Sequence, residues 1–177
     1  MRVEHHEGWS PQPIIGYRLW GIANDEIRGA IGHPWPAPHM DATCSRARPQ
    51  DDLPHTDFTS SEVGYGCGIY AASSAGGLVP PRASGWVVGM VLLSGKVVEH
   101  DRGYRASHAR VAAAIAHLDG RQLATADIDL LDDLFATPSP TVATKGEPFP
   151  SWDHATHIAI LEDLERSMEP WTLGASG

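Results

Sequence analysis

The sequence predicts an α+β fold in which a small, barrel-like sheet over about residues 14–100 is followed by helices. Runs of β-branched and aromatic residues, separated by turn signals, occupy the first hundred residues, and helical patterns come after them. The chain has 177 residues, of which 42% are hydrophobic and 20% charged, so it can bury a core without disulfides or metals. Its 18 glycines and 14 prolines predict many loops and few long helices.

A β-hairpin is predicted at the start of the sheet. Ile14–Ala23 forms the first arm, Asn24 and Asp25 give the turn, and Glu26–Ile31 returns as the second arm. Both faces of the first arm carry apolar residues, which predicts a strand covered on both sides. One face carries Ile15, Tyr17 and Leu19, and the other carries Arg18, Trp20 and Ile22.

Short apolar runs predict the remaining strands. Cys67–Ala72 indicates a buried strand, and Trp86–Leu93 indicates a strong one. Ser94 and Gly95 lie between two valine-rich runs and predict a turn into a second arm, Lys96–His100.

Helices are predicted in the last third of the chain. Ala106–Leu118 is rich in alanine and is followed closely by Gly120, which together predict the first helix. Asp127–Phe135 predicts a short acidic helix that Pro138 stops, and residues 155–168 predict a last helix with one apolar face.

The helices and the charge distribution divide the chain into two parts. We expect a β-rich core domain with the first helix over residues 1–120, and an acidic helical extension, packed on it or tethered to it, over 121–177. Residues 111–177 hold 3 basic and 11 acidic residues and account for −8 of the net charge of −9. Such a region either contacts a protein partner or is a solvated face. The negative charge also disfavours binding to long nucleic acid.

An irregular but ordered loop, predicted over residues 39–66, contains side chains that bind zinc well. Cys44, His55 and Cys67, with His39 nearby, supply thiolate and imidazole ligands, and an ion there would fasten the loop onto the sheet. Alternatively, the cysteines are small buried side chains and the histidines lie at the surface, since the chain has no Cys-x-x-Cys pair. In a third interpretation, the glycines around Cys67 expose it as a nucleophile.

A polar segment, Glu99–Arg105, lies between the strongest strand and the predicted first helix. Arginines and free backbone N–H groups at such a junction would bind an anion, and nearby aromatic rings would stack on a planar ligand. The residues expected to line this ligand site are Trp20, Tyr70, Trp86, Glu99, His100, Arg102, Tyr104 and Arg105. Alternatively, Glu99 pairs with Arg105, and Tyr104 covers the end of the barrel.

Six short motifs between residues 14 and 118 carry a resemblance. They are Gly16–Trp20, Trp35, Ala42–Cys44, Cys67–Ala71, Val88–His100 and Gly103–Ala106. Together they resemble a family of uncharacterised proteins of actinobacteria and their phages. Members of that family often have Cys-x-Cys-Gly where this chain has Tyr65-Gly-Cys-Gly68, a departure that removes one candidate metal ligand.

The order of two strands carries a second, broader resemblance. The short strand Gly68–Ala72 precedes a Val-Val-Gly-x-Val-x-Leu run at 87–93, as in PUA-like β-barrels of the ASCH and EVE kind. That resemblance implies a cleft lined by aromatic residues that binds RNA or a modified base. The acidic charge of this chain is compatible with a single nucleotide or base.

These observations predict a non-enzymatic cytosolic binding or interaction module, with a protein partner on its acidic extension. The alternative is a PUA-like protein that recognises a nucleotide or modified base, and third comes a small enzyme that uses Glu99 or His100. We expect no cofactor, and zinc is the one alternative left open. No apolar run is long enough to span a membrane, and the N-terminus lacks a signal-peptide pattern, which predicts a cytoplasmic protein with reduced thiols.

Overall fold

The computed structural model of the protein describes residues 7–29, 32–44, 51–55, 67–78 and 85–143, with positions 159, 162 and 163. Within these residues, seven strands form one sheet, and helices follow them. The elements in chain order are β1 (Glu7–Ala23), β2 (Glu26–Arg28), β3 (His39–Asp41), β4 (Ile69–Ala72), a 3-10 turn (Ala75–Gly77), β5 (Gly85–His100), β6 (Gly103–Leu118), β7 (Arg121–Thr125), α1 (Ile128–Ala136) and α2 (Pro140–Ala143). The predicted α+β class is therefore confirmed in a sheet-dominated form.

Hydrogen bonds between strands close a ring through four of them. Strand β5 pairs with β1 and β6, and β4 pairs with the same two strands, so the ring runs β1–β4–β6–β5. Strand β2 is added to β1, and β3 and β7 are added to β6. All these pairs are antiparallel, and three of them, β1–β2, β5–β6 and β6–β7, join successive strands through two-residue turns.

The predicted first hairpin is confirmed. Asn24 and Asp25 have φ values of 54° and 57°, the left-handed conformation that a two-residue hairpin turn requires at both positions. The two faces of β1 pack into different hydrophobic clusters, so the strand is covered on both sides as expected. Trp20 belongs to the larger cluster and Tyr17 to the smaller one.

The prediction of a turn at Ser94 and Gly95 is wrong, because β5 continues through them as one strand of 16 residues. The register between β5 and β6 shifts between Ser94 and Val97, and Gly95 has a φ of 75°. Glycine therefore forms a bulge here instead of a reversal. The reversal comes after His100, which pairs with Gly103 across a two-residue turn.

The helix predicted over Ala106–Leu118 is also wrong, since these residues belong to strand β6. Asp119 and Gly120 have φ values of 48° and 78° and form the turn into β7, so Gly120 ends a strand and not a helix. Packing explains why alanine occurs in this strand. Strand β6 contributes small side chains to both hydrophobic clusters, with Ala114 and Ala116 in the cluster of Trp20 and Ala113 in the cluster of Trp86.

The acidic helix predicted at Asp127–Phe135 is confirmed as α1. The Asp127 carboxylate accepts a hydrogen bond from the Leu130 backbone N–H at 2.9 Å and caps the helix. Leu131, Leu134 and Phe135 pack into the larger cluster of the sheet.

The last predicted helix, 155–168, lies almost wholly outside the described residues, where only positions 159, 162 and 163 are seen, and all three are helical. The first residues of the predicted extension form β7, and the division at residue 120 stays a prediction. No helix among the described residues has the length and apolar character needed to cross a membrane.

Candidate metal centre

The structure brings Cys44, His55 and Cys67 together from separate segments of the chain. One ligand atom of each lies within 4.8 Å of the others. The Cys67 Sγ is 3.1 Å from His55 Nδ1, and it accepts a hydrogen bond from the His55 backbone N–H, also at 3.1 Å. Both cysteines are free thiols, each 8% exposed, and they pack with Leu53. His39 lies outside this group, on the exposed face of β3.

The bulge in β5 attaches the segment Asp51–His55 to the sheet. Lys96 follows Gly95 in the bulge, and its Nζ lies 3.0 Å from a carboxylate oxygen of Asp52. On β6, the Ser107 hydroxyl donates to the Leu53 carbonyl at 2.6 Å and accepts from the Lys96 backbone N–H at 3.0 Å. Because the strand register shifts here, a lysine and a serine of neighbouring strands both contact the segment that carries His55.

Arg105, on β6, joins two of the three candidate ligands through their backbones. Its Nη1 donates to the carbonyl oxygens of His55 and Cys67, at 3.2 and 3.0 Å. Its Nε donates to Nε2 of His100 at 2.8 Å, and the residue is only 2% exposed. A buried guanidinium with these partners holds two separate stretches of backbone in one place.

The residue after Cys67 has to be glycine. Gly68 has a φ of 109°, and a Cβ at this position would lie 2.7 Å from Cβ of Pro54 and 3.3 Å from Cβ of Arg105. Glycine at this position therefore allows the backbone after Cys67 to lie close to Pro54 and Arg105. It does not expose a nucleophile as the third interpretation of Cys67 requires, because the cysteine is buried.

The surroundings of Cys67 favour the neutral thiol when no ion is bound. Burial is the largest of the causes that raise the pKa of the Cys67 thiol, and the Cys44 thiol raises it further through charge and a hydrogen bond. The His55 backbone N–H and the Arg105 charge act in the opposite direction without reversing it. A neutral, buried thiol is a poor nucleophile, whereas a metal ion can still displace its proton.

The donor set and its spacing fit a tetrahedral zinc ion. Zinc bonds of about 2.3 Å to sulfur and 2.0 Å to nitrogen place the ligand atoms about 3.5–3.8 Å apart. The three atoms here are spaced on that scale, with one pair at 3.1 Å and none beyond 4.8 Å. Two thiolates and an imidazole are soft to borderline ligands, which prefer zinc to magnesium or calcium. Three protein ligands leave one position of the tetrahedron for water or another donor.

The segment Glu99–Arg105, expected to form a ligand site between a strand and a helix, lies between two strands in the structure. No helix begins there, because the segment is the turn of the β5–β6 hairpin. The helix N-terminus that was expected to bind an anion is therefore absent from this segment. Of the two arginines, Arg102 is exposed in the turn and Arg105 is buried against the loop.

The structure brings only some of the expected ligand residues together. Tyr70 is 37% exposed, and its ring centroid lies 5.9 Å from Cζ of Arg105. Trp20 and Trp86 are buried in different hydrophobic clusters, and Trp86 stacks on His117 with 5.6 Å between centroids. Glu99 is exposed, and His100 and Tyr104 are partly exposed on the same hairpin.

Sequence reasoning missed the residues that fasten the loop, Lys96 and Ser107, because their role depends on the bulge. It also missed that Arg18 lies against the rings of Trp20 and Trp35 inside the fold, although the sequence contained a signal for it. Arg18 shares its strand face with Trp20 and Ile22, and a charged residue on an otherwise apolar face is unusual.

Comparison of the chain with protein-family models, curated proteins and solved structures finds no match.

Proposed function

We propose that the protein is a non-enzymatic binding module in which a zinc ion fastens the loop between β3 and β4 onto the sheet. Cys44, His55 and Cys67 hold the ion. The observation that carries the proposal is the convergence of these three side chains, from three segments of the chain, within 4.8 Å. Cys44 lies near the start of the loop, His55 within it and Cys67 near its end, so an ion would cross-link three segments that also pack in one small cluster of Cys44, Leu53 and Cys67.

The surrounding hydrogen bonds support a site built to hold an ion. Arg105 and Ser107 bind the carbonyl oxygens of His55, Cys67 and Leu53, so the backbone that carries the ligands is held by the sheet itself. Contacts that orient ligands in this way commonly accompany protein metal sites.

The hydrogen bonds around Glu99 and His100, in the β5–β6 hairpin, favour binding over catalysis. His100 accepts a hydrogen bond from Arg105 at Nε2, so the lone pair that a general base would use is already engaged. Glu99 is exposed to water and lies opposite Tyr104 in the hairpin. This arrangement supports a non-enzymatic role more than a small enzyme that uses Glu99 or His100.

Metal analysis and cobalt substitution test the zinc site. We expect one zinc per chain after purification, and an intense thiolate-to-cobalt charge-transfer band when Co²⁺ replaces it. Zinc at 1,000 times its dissociation constant would stabilise the fold by about 4 kcal/mol. For a chain of this size, removal with a chelator should therefore lower Tm by roughly 8–16 °C.

Matched variants separate specific binding from surface binding. Cys44→Ser and His55→Ala should each lose the cobalt band, whereas His39→Ala, a change at an exposed histidine outside the group, should keep it. A wild-type protein that binds no zinc and keeps its Tm in the presence of chelator would contradict the proposal. So would a cobalt band that survives both ligand variants.

The PUA-like alternative, recognition of a nucleotide or modified base, rests on a different observation. Tyr70 is an exposed ring near a buried arginine, a surface on which a base can stack. Thermal-shift measurements with nucleotides and Tyr70→Ala test it, because stabilisation that depends on Tyr70 would favour this alternative.

The protein partner also stays a proposal, placed on the acidic extension in the cytoplasm. Asp129, Asp132 and Asp133 are exposed along α1, which supports contact with a basic surface. Binding to a basic partner recovered from the native host should weaken when these aspartates are changed to asparagine, and unchanged binding would exclude α1 as the contact.

A further inference from the structure

A second arginine, Arg18, is partly buried between two tryptophans, away from the candidate metal centre. The Cζ of Arg18 lies 4.7 Å from the ring centroid of Trp35 and 5.9 Å from that of Trp20. The two indoles meet edge to face, with centroids 5.3 Å apart. Arg18 also donates from Nη1 to the carbonyl oxygen of Tyr70. We call Arg18, Trp20 and Trp35 the arginine–tryptophan cluster.

This cluster contains three buried N–H donors that lack acceptors. Nε of Arg18 and Nε1 of both tryptophans are inaccessible to water and have no hydrogen-bond partner among the residues that the structure describes. A buried donor without an acceptor costs about 1–3 kcal/mol, so three in one cluster are unusual in a native fold.

The charge of Arg18 is also uncompensated by any acid in the described part of the chain. Its described partners are two aromatic rings and one carbonyl oxygen, none of which carries a negative charge. Burial lowers the pKa of Arg18 to about 10, so the guanidinium is still positive at neutral pH. A positive charge with spare donors is the complement of an anion with oxygen acceptors.

We propose that the arginine–tryptophan cluster is a binding site for a small monocarboxylate. The carboxylate oxygens would accept hydrogen bonds from Arg18 and from the indole N–H groups of Trp20 and Trp35. This proposal goes beyond the zinc-held module, because none of its donors is a metal ligand, and it holds whether or not zinc binds.

The single positive charge and the apolar surroundings of the cluster favour a carboxylate over a phosphate. One guanidinium neutralises one negative charge, whereas a phosphate dianion would leave a buried excess charge in a protein whose net charge is −9. The remaining donors are neutral indole N–H groups, which stabilise an oxygen without adding charge. The apolar surroundings, which include Phe135 at 5.4 Å from Trp20, suit the hydrocarbon part of an organic acid.

The ligand would enter beside Tyr70. Arg18 is only partly buried as a whole residue, and its neighbour Tyr70 is among the exposed large side chains. Trp20 has no exposed surface, so binding requires a small displacement of the side chains around the guanidinium. A small acid such as acetate or propionate needs the smallest displacement.

Indole N–H resonances give a direct test in metal-free protein. The chain has six tryptophans, so a ¹⁵N-labelled sample has up to six indole cross-peaks. Titration with acetate and then propionate, at constant ionic strength with chloride, should move two of them saturably and to lower field. Trp20→Phe and Trp35→Phe assign these two peaks and should each weaken binding about 5–10-fold, since each removes one hydrogen bond.

Arg18→Met removes the charge and should abolish the saturable shift. The matched control Arg121→Met changes an exposed arginine of β7 and should leave the shift unaltered. Arg18→Met should also keep or raise Tm, because it removes a buried charge that lacks an acidic partner. The absence of a saturable carboxylate-dependent shift in the wild-type protein would overturn the proposal. A large fall in the Tm of Arg18→Met would then show that the cluster is only a cation–π packing element.

A phosphate titration completes the test. Saturable movement of the same two peaks by phosphate at lower concentration than by acetate would overturn the carboxylate assignment. Movement of all indole peaks in proportion to salt, with no saturation, would equally overturn a specific site. Cobalt spectra measure metal binding separately. A protein that binds cobalt but shows no carboxylate-dependent shift would therefore contradict only the carboxylate site, and the reverse result would contradict only the zinc site.

Discussion

Replacing Arg105 with leucine should destabilise the fold and weaken metal binding together. The guanidinium donates to the carbonyl oxygens of His55 and Cys67 and to the ring of His100, and the residue is 2% exposed. Leucine fills part of the volume but donates nothing, so two carbonyls beside the candidate metal centre lose a donor. We expect the loop to separate from β6 before the sheet unfolds.

The size of the effect follows from these three hydrogen bonds. A bond from a charged donor contributes about 1.5–3 kcal/mol, so three sum to about 4–9 kcal/mol. Leucine avoids the cost of burying a charge and adds apolar burial, which offsets part of that sum. A net loss of about 3 kcal/mol is expected, or roughly 6–12 °C in Tm for a chain of this length.

Urea unfolding and cobalt titration of the same samples measure both effects. The control is Arg102→Leu, an identical change at an exposed arginine three residues away on the same hairpin. We expect Arg105→Leu to bind Co²⁺ at least about tenfold more weakly than the control, as changes around metal ligands usually do. If the two variants unfold within about 0.5 kcal/mol of each other, Arg105 does not hold the loop and our account of the site fails.

Three further predictions concern the sheet and its helix. Gly89→Ala places a Cβ 2.7 Å from the backbone oxygen of Ala113, so urea unfolding should show a loss of about 1–3 kcal/mol, and an unchanged midpoint would disprove the close contact. Leu134→Ala opens a cavity under α1 and should cost about 2–5 kcal/mol in one cooperative transition; a separate early transition would mean that α1 unfolds independently. Asp127→Ala removes the cap to Leu130 and should cost about 1 kcal/mol, with Asp127→Asn largely retaining it.

The sequence predicted correctly those elements whose conformation is set by a few neighbouring residues. The Asn24–Asp25 turn and the capped acidic helix are set by a few adjacent residues, and both are found where expected. The segment Ala106–Leu118 is mispredicted because alanine favours a helix locally, whereas in the structure this segment pairs with β5 and packs its small side chains into both hydrophobic clusters. The Asp119-Gly120 pair, a strong hairpin signal, could have indicated the strand.

The sequence identified the three candidate ligands but not the hydrogen bonds that hold them in place. Residue chemistry alone singled out Cys44, His55 and Cys67, and the structure places them together. Arg105 was assigned to a ligand because an arginine after a strand resembles an anion site. Its actual partners are main-chain carbonyls of a distant loop, which no sequence spacing reveals.

The ring of four strands has a consequence for how copies of the chain meet. Strands β5 and β6 of the ring are paired on both sides along most of their length, whereas β1 pairs with β4 at one position, Tyr17 with Ala72. In the described chain, the strands with a single strand neighbour are β2 and β3, of three residues each, and β7, of five. Strands this short offer little backbone for a second molecule to extend, so edge-to-edge association through β2, β3 or β7 is disfavoured.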